Sequence, residues 1–468
     1  MQRLVPPKPG LRSGAARLGG VLARGGRSIL NLLPRQAYTV QMGVSRIGGH
    51  RVFLVNAPET LRSVLVADAA HYPKHRYIED ILRPLIGVSL FNANGVAWQQ
   101  QRRLVDQAFA HANLRQAFPL MQAAVTDLLD RLDLSVGAPL WQADVAMAHV
   151  TADIIFRTIL STTLDPVQAQ TVHDAFRHYQ ENAQRVMALS ALRLPTFLHR
   201  RRCRQMGATI RASFAGLVHE RYRATERGDA GLPQDMLAAL IAARDPETGA
   251  RLTADEAVDQ VATLFLAGHE TSASTLAWAL YLLACQPELQ QQMRDEVAAA
   301  WGDREPAFGD TRQLPLTHDV FRETLCLYPP IAFYLREAAQ PGGCLRDKLV
   351  GQGDMVAVSP WIVHRHEGLW ERPDEFDPGS FCTEAGVASA RVAYLPFGLG
   401  PRSCPGAAFA TQESLLILGQ VVRRYRINLA PGPSPMPVAR LTLRPDTGIW
   451  LRLRRILPEG AGEPGSGS

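Results

Sequence analysis

One cysteine stands out by its setting. In Phe397-Gly398-Leu399-Gly400-Pro401-Arg402-Ser403-Cys404-Pro405-Gly406, a glycine-punctuated loop carries Cys404 to the start of an apolar, helically spaced run that begins at Ala407. A sulfur there meets unpaired backbone amides and the positive end of a helix, and both favour the thiolate. Gly398, Gly400 and Gly406 let the backbone bend and let other groups come close. The chemistry that fits is an anionic sulfur held as an axial ligand to iron. A free core cysteine beside a Gly-rich turn is the plainer reading, and it leaves the spacing of the loop unexplained.

A second grouping is Ala267-Gly268-His269-Glu270-Thr271-Ser272, inside an apolar helical segment that begins near Asp255. A continuous core helix does not call for these residues. Gly268 costs about 1 kcal/mol of helix stability, and a buried carboxyl or hydroxyl needs a partner. Third, Trp98 and Arg102 stand at i and i+4 on one helical face, where they can meet the same anionic group. Arg336, after Pro329-Pro330, and Arg402 in the cysteine loop add two guanidinium forks suited to carboxylates.

These motifs together resemble the cytochrome P-450 family: F-G-x-G-x-R-x-C-x-G for its cysteine loop, A-G-x-[DE]-T for its oxygen-binding helix, and W-x-x-x-R for a further helix. The resemblance covers roughly residues 36–453 and implies the P-450 fold, a single large domain that is mainly α with a small β region (α+β). It implies haem b with Cys404 as axial thiolate, which favours O–O cleavage. Phe397, Gly398, Arg402 and Gly406 would hold the cofactor in the loop, and Trp98, Arg102, Arg336 and Arg402 would face its propionates. Ala267 and Gly268 would leave room for dioxygen, Thr271 would position water and steady the oxygen chemistry, and Glu270 would relay protons.

The implied activity is a monooxygenase that uses O2 on an apolar small molecule such as a fatty acid, a terpenoid or a similar lipophilic metabolite. Electrons would come from NAD(P)H through a separate ferredoxin or flavodoxin and its reductase. Arg102, Arg103, Arg115, Arg423, Arg424 and Arg426 would offer that acidic partner a basic docking face. Leu82, Leu85, Phe91, Met187, Leu264, Ala332 and Phe333 would line an apolar substrate pocket. A non-catalytic or partner-recruiting haem binder and a peroxide-driven haem-thiolate enzyme are the alternatives. The Glu270-Thr271 pair argues against both, since a mere haem binder needs no proton relay and the peroxide-driven members that the resemblance brings in usually lack this acid–Thr pair.

One departure from the family pattern matters. Phe321-Arg322-Glu323-Thr324-Leu325-Cys326 resembles the E-x-x-R helix with Cys326 in the arginine's place, and Ser380 stands where the later P-x-R-F stretch has its arginine. Glu323 is thereby left without the two cations that the family supplies. A buried carboxylate stripped of its partner costs about 3–5 kcal/mol, so the expectation is protonation or a substitute cation, with Arg372 a candidate.

The surrounding chain has the composition to position such sites. Hydrophobic content of 46% and charged content of 20% suit a globular core. The net charge of +6 is dispersed, with no basic run interleaved with aromatics, which argues against nucleic acid. Six scattered cysteines without a C-x-x-C pair fit a reducing, cytoplasmic setting, and five of them read as small buried hydrophobes. No apolar run is long enough for a transmembrane anchor.

Residues 1–35 read as a basic Pro/Gly-rich lead-in, 36–453 as the haem domain and 454–468 as a disordered tail. Strands are expected around Gly48-Gly49, helices over Trp98–Phe109, Leu120–Leu132, Val145–Ser161, Ala208–Arg227, Ala254–Cys285 and Asp319–Leu327, and short strands from Ala332 to Pro360. Trp361–Arg402 is expected to be irregular, followed by strands in ARLTLRP and IWLRLRR.

Overall fold

Thr253 starts the helix that organises the molecule. Its hydroxyl accepts the Glu256 N–H while the Glu256 carboxylate accepts the Thr253 N–H, a reciprocal cap, and the helix runs Ala254–Ala284. Apolar residues occur on all sides of its C-terminal half, so it is buried all round, with Leu276, Ala277, Trp278, Leu280 and Leu282 inaccessible to solvent. Trp278 stacks on Tyr328 at 3.9 Å. The computed structural model describes residues 3–10, 28–47, 50–163, 166–191 and 194–456. The Gly48-Gly49 turn and the tail from residue 457 lie outside the described residues.

Around this helix pack Ala143–Leu160, Phe197–Arg227, Pro315–Leu327 and Ala407–Arg424. Gly268 explains one close approach: a Cβ there would meet Ile155 Cδ1 at 2.7 Å. The glycine therefore has a helix-packing reason that the family resemblance did not supply. A four-stranded sheet stands beside the helices in the order Met42–Ile47, His50–Val55, Met355–Val358, Tyr334–Glu337. Its central pair is parallel and the outer pairs are antiparallel. A single bridge pairs Lys74 with Arg336 on the edge strand.

Several elements differ from the sequence reading. Glu384–Ala393 is a helix inside the stretch expected to be irregular, started by the Thr383 hydroxyl on the Gly386 N–H. ARLTLRP is not one strand; Pro437–Ala439 and Leu443–Pro445 pair antiparallel across a turn. Of the basic Pro/Gly-rich lead-in, residues 1–2 and 11–27 lie outside the described residues, while residues 3–10 lie against the irregular segment. Phe376 N–H donates to Leu4 O at 2.8 Å, the Tyr328 hydroxyl donates to Pro7 O at 2.8 Å, and Lys8 pairs with Asp374. Of the five cysteines read as buried, Cys203 and Cys326 are, Cys285 is half-buried, and Cys344 and Cys382 are exposed.

Candidate active site

The cysteine loop is shaped by local backbone geometry. Cys404 N–H donates to Phe397 O at 2.8 Å, which closes the loop. Gly400 has φ +71°, and a Cβ on it would lie 2.2 Å from Leu65 O, so only glycine fits. Gly406, by contrast, has an ordinary φ of −88° and is the residue from which the helix Ala407–Arg424 starts. The space beside it is taken by Phe109, with Cys404 Sγ also close, so its role is proximity and not bending.

Although solvent reaches Cys404, the surrounding protein desolvates its sulfur and pushes the thiol pKa up. The Gly406 N–H and the charges of Arg102 and Lys74 oppose that shift without cancelling it. Helix position alone therefore does not make the thiolate here. A coordinating metal ion does so outright.

The expected cations converge on this loop and are joined by one that the sequence did not reveal. Arg102 donates to Ser403 O at 2.5 Å and to Pro401 O at 3.3 Å, and pairs with Asp106. Arg402 lies 4.2 Å over the Trp98 ring and donates to Ala93 O and to Asn94 Oδ1, both at 2.8 Å. Trp98 and Arg102 thus share a face as expected, and that face meets the cysteine loop. Arg336 is buried on its edge strand, its side chain bonded to Leu335 O. The added member is Lys74, brought in by the bridge to Arg336 and held over the Phe91 ring at 4.0 Å. No local pattern marks Lys74, because a pairing with a residue far along the chain places it.

Burial followed by neighbouring Arg336 and Arg402 holds the Lys74 ammonium well below its ordinary pKa. Burial lowers Arg336 and Arg402 to about 10 each. Among the described residues no carboxylate pairs with Lys74, Arg336 or Arg402. One buried and two half-buried cations beside a sulfur, with no carboxylate bound to them among the described residues, fit a dianionic group that also takes the sulfur as ligand. The propionates and iron of haem have that charge and that demand.

On the long helix, Ala267 and Thr271 are half-buried, and the Thr271 hydroxyl donates to Ala267 O at 2.6 Å. Glu270 turns the other way. Its side chain is 1% exposed and accepts from Arg444 Nε at 2.9 Å, from the Thr442 hydroxyl at 3.2 Å and from Gln180 Nε2 at 3.2 Å. His269 Nε2 lies 3.3 Å from it. The sequence did not disclose Gln180, Thr442 or Arg444, since the turn between the last short strands brings two of them in from far along the chain. Glu413 also went unremarked. It is fully buried on the helix after the cysteine, beside Ser272, and burial pushes its pKa up to about 8.

The Glu323 region is built on a different principle. Glu323 is buried and accepts one amide, Asp377 N–H at 3.3 Å. Burial pushes its pKa up to about 8 against the lowering by the Asp377 amide and then by Arg365 and Arg322, so the carboxyl is mostly protonated at neutral pH. Arg372 is not its partner, because it is bound to Asp377 and Glu375. Arg322 instead stacks on Phe381 at 3.9 Å, and Arg365 stacks on Trp361 at 3.7 Å. The neutral His364, lowered to about 3 by burial, donates from Nδ1 to Cys326 O at 3.0 Å and accepts Leu395 N–H at 2.8 Å on Nε2.

Of the expected docking face, Arg102, Arg103 and Arg424 are paired with Asp106, Asp245 and Glu305. Leu82, Leu85, Leu264 and Ala332 belong to the main core, with Phe91, Met187 and Phe333 packed against it.

With this geometry in place, comparison with known proteins gives one answer. The family described as cytochrome P-450 matches residues 36–451. Cyclooctatin synthase of Streptomyces melanosporofaciens is 30% identical over 94% of this chain and 92% of its own. Pentalenene oxygenase of Streptomyces avermitilis is 31% identical over 88% of this chain and 90% of its own. A crystal structure of a cytochrome P-450, CYP102L1, superposes with a TM-score of 0.79 at 25% identity, covering 90% of this chain and 96% of that one. No helix among the described residues is long and apolar enough to cross a membrane.

Proposed function

This chain belongs to the cytochrome P-450 family and is a haem-thiolate monooxygenase, and from that premise we propose that it oxidises a lipophilic terpenoid, with Cys404 as the iron ligand. When bound, haem supplies the activation of dioxygen, and the protein supplies anchoring, orientation and protons. Lys74, Arg336 and Arg402 would hold the propionates, while Arg102 ties the cysteine loop to its neighbouring helix. The observation that carries this reading is the set of buried and half-buried cations, without a carboxylate bound to them among the described residues, beside the Cys404 sulfur.

Thr271 offers a hydroxyl on the half-buried side of the long helix, and releasing its bond to Ala267 O frees it to donate toward the reacting oxygen. Glu270 holds a proton-transfer position only one residue away, but its pairing with Arg444 turns it aside. A rotation of that carboxylate out of the pair would let it carry a proton inward. The apolar side chains of Leu82, Leu85, Leu264 and Ala332 suit a substrate held by burial, and the pentalenene oxygenase among the relatives supports a terpene within that class. Electrons come from NAD(P)H through a separate ferredoxin or flavodoxin system. The unpaired cysteines suit the cytoplasm.

The test is the reduced carbon monoxide spectrum. Wild type gives the long-wavelength thiolate band and Cys404→Ser abolishes it; an unchanged band in Cys404→Ser overturns the assignment. Titration with a panel of terpenes, steroids and fatty acids, followed by the substrate-induced shift of the haem spectrum, separates terpenoid from acyl-chain substrates.

A further inference from the structure

Two glutamine side chains reach the turn 87–92 from different helices, and each keeps one polar atom that no described residue meets. Gln260 stands on the long helix Ala254–Ala284 and Gln101 on the helix Gly95–Ala108, and they are 0% and 8% exposed. Leu90 N–H donates to Gln260 Oε1 at 3.2 Å, and Gln101 Nε2 donates to Val88 O at 3.1 Å. These bonds fix which way each amide faces, because an N–H can only donate and a carbonyl oxygen can only accept. What remains is Gln260 Nε2, a donor, and Gln101 Oε1, an acceptor, both buried and without a hydrogen-bond partner among the described residues.

The turn does not supply the missing partners. Its Val88 N–H is taken by Asp259, its Ser89 N–H by Asn92 Oδ1, and Asn92 Nδ2 in turn donates to Gly87 O. A buried amide group without a partner is costly enough that native folds rarely leave one. Here there are two, of opposite kind, on side chains tied to the backbone of Val88 and Leu90.

Their place on the long helix says what would meet them. Gln260, Leu264, Ala267 and Thr271 recur at i, i+4, i+7 and i+11, which is one face of a helix. Ala267 and Thr271 mark the reacting end of that face, and the helical rise sets Gln260 about 10 Å from Ala267. A hydroxyl both accepts and donates, so it satisfies the free Nε2 and the free Oε1 together. A ketone or aldehyde answers Nε2 alone, an ammonium answers Oε1 alone, and a hydrocarbon answers neither.

We propose that Gln260 and Gln101 recognise a hydroxyl group on the substrate, so that the lipophile oxidised here already carries an alcohol about 10 Å or more from the carbon that reacts. The inference rests on the terpenoid reading above and narrows it from a terpene to a terpene alcohol. An earlier oxygenation or hydration must then supply that hydroxyl, and this chain adds its oxygen at the other end of the molecule.

The experiment titrates the haem-loaded full chain with two matched sets, farnesene, farnesol and farnesal, and limonene, carveol and carvone. Binding is read by calorimetry and by the substrate-induced shift of the haem spectrum. Within a set the alcohol should bind about tenfold or more tighter than the hydrocarbon, with the carbonyl compound, which accepts but does not donate, between them. Gln260→Leu should remove the advantage of the carbonyl compound over the hydrocarbon, and Gln101→Leu should bring the alcohol down to the carbonyl compound. Hydrocarbon binding should hold or tighten in both variants. Equal affinity of the wild type for hydrocarbon and alcohol, the result expected if the two amides hold only a bridging water, overturns this inference alone. A loss shared alike by all the ligands in the variants does the same, since it would make the glutamines supports of the turn 87–92 and nothing more. Should neither variant fold, the wild-type order of the three ligands decides by itself. Failure of both sets to bind overturns the terpenoid reading, and this inference with it.

Discussion

The two faces of the haem region solve opposite electrostatic problems. Around Cys404 the fold gathers Lys74, Arg336 and Arg402 with no carboxylate bound to them among the described residues. Around Glu323 it buries an anion-forming group with no cation bound to it among the described residues. The first arrangement is tolerable only because a guest supplies the missing charge, so its stability is conditional on that guest. The second has adapted within the protein: Glu323 takes a proton, the arginines nearby stack on aromatic rings, and neutral His364 joins Cys326 to Leu395 through hydrogen bonds. Unpaired charge in a core is thus a sign of a ligand in one place and is removed by protonation in the other.

Breaking the first arrangement has the largest expected effect, and its sign depends on the cofactor. Arg336→Met should weaken haem retention by about 3–5 kcal/mol, the cost of removing one partner from a buried charge pair. The same change should leave the haem-free protein as stable as before, or more so, because an uncompensated buried cation is gone. Haem-loss kinetics and thermal melts of both forms check this. Equal destabilisation of both would mean that Arg336 is structural and that the contrast between the regions is false.

Protonation sharpens the second. A folded-state pKa of about 8 for Glu323, above the ordinary carboxyl value of 4.5, means that the folded protein binds a proton the unfolded chain has lost. Stability therefore falls as pH rises between those values, by about 1.4 kcal/mol per pH unit. Glu323→Gln should remove that slope, so its advantage over wild type grows from pH 5 to pH 8. Glu413, also raised to about 8, titrates in both proteins and cancels from the difference. Denaturant midpoints at a series of pH values measure it, and parallel curves would show that Glu323 is not buried as described.

Restoring the family's cations tests how far the region has been rebuilt. Cys326→Arg or Ser380→Arg alone should help little, while the pair should exceed the sum of the singles by a coupling on the order of 1–3 kcal/mol. Additive effects in melts and haem loss would show that the stacked Arg322 and the protonated Glu323 have closed the old arrangement. The smallest effect belongs to the N-terminal segment. Tyr328→Phe, which removes the bond to Pro7 O, should cost about 1 kcal/mol in thermal unfolding. No change would mean that residues 3–10 contribute nothing to holding the irregular segment.

The sequence by itself determined the cysteine loop, the two flanking helices and the loss of both arginines. Each is a local pattern, read from glycine positions, helical spacing or a single substituted residue within a few positions of its neighbours. It also determined that Glu323 would need a proton or a new partner, since burial of that helix follows from its apolar neighbours. Only the tertiary structure decided which. Lys74 enters the site through a bridge to a residue more than two hundred positions away, and Glu270 is engaged by Arg444 from the last strands. Residues 3–10 join the irregular segment through contacts across most of the chain. Such pairings depend on where distant segments meet when the core closes, and no local periodicity encodes that. The pKa of a buried carboxyl has the same origin, because it is set by the charges and the solvent that folding brings to it or takes away.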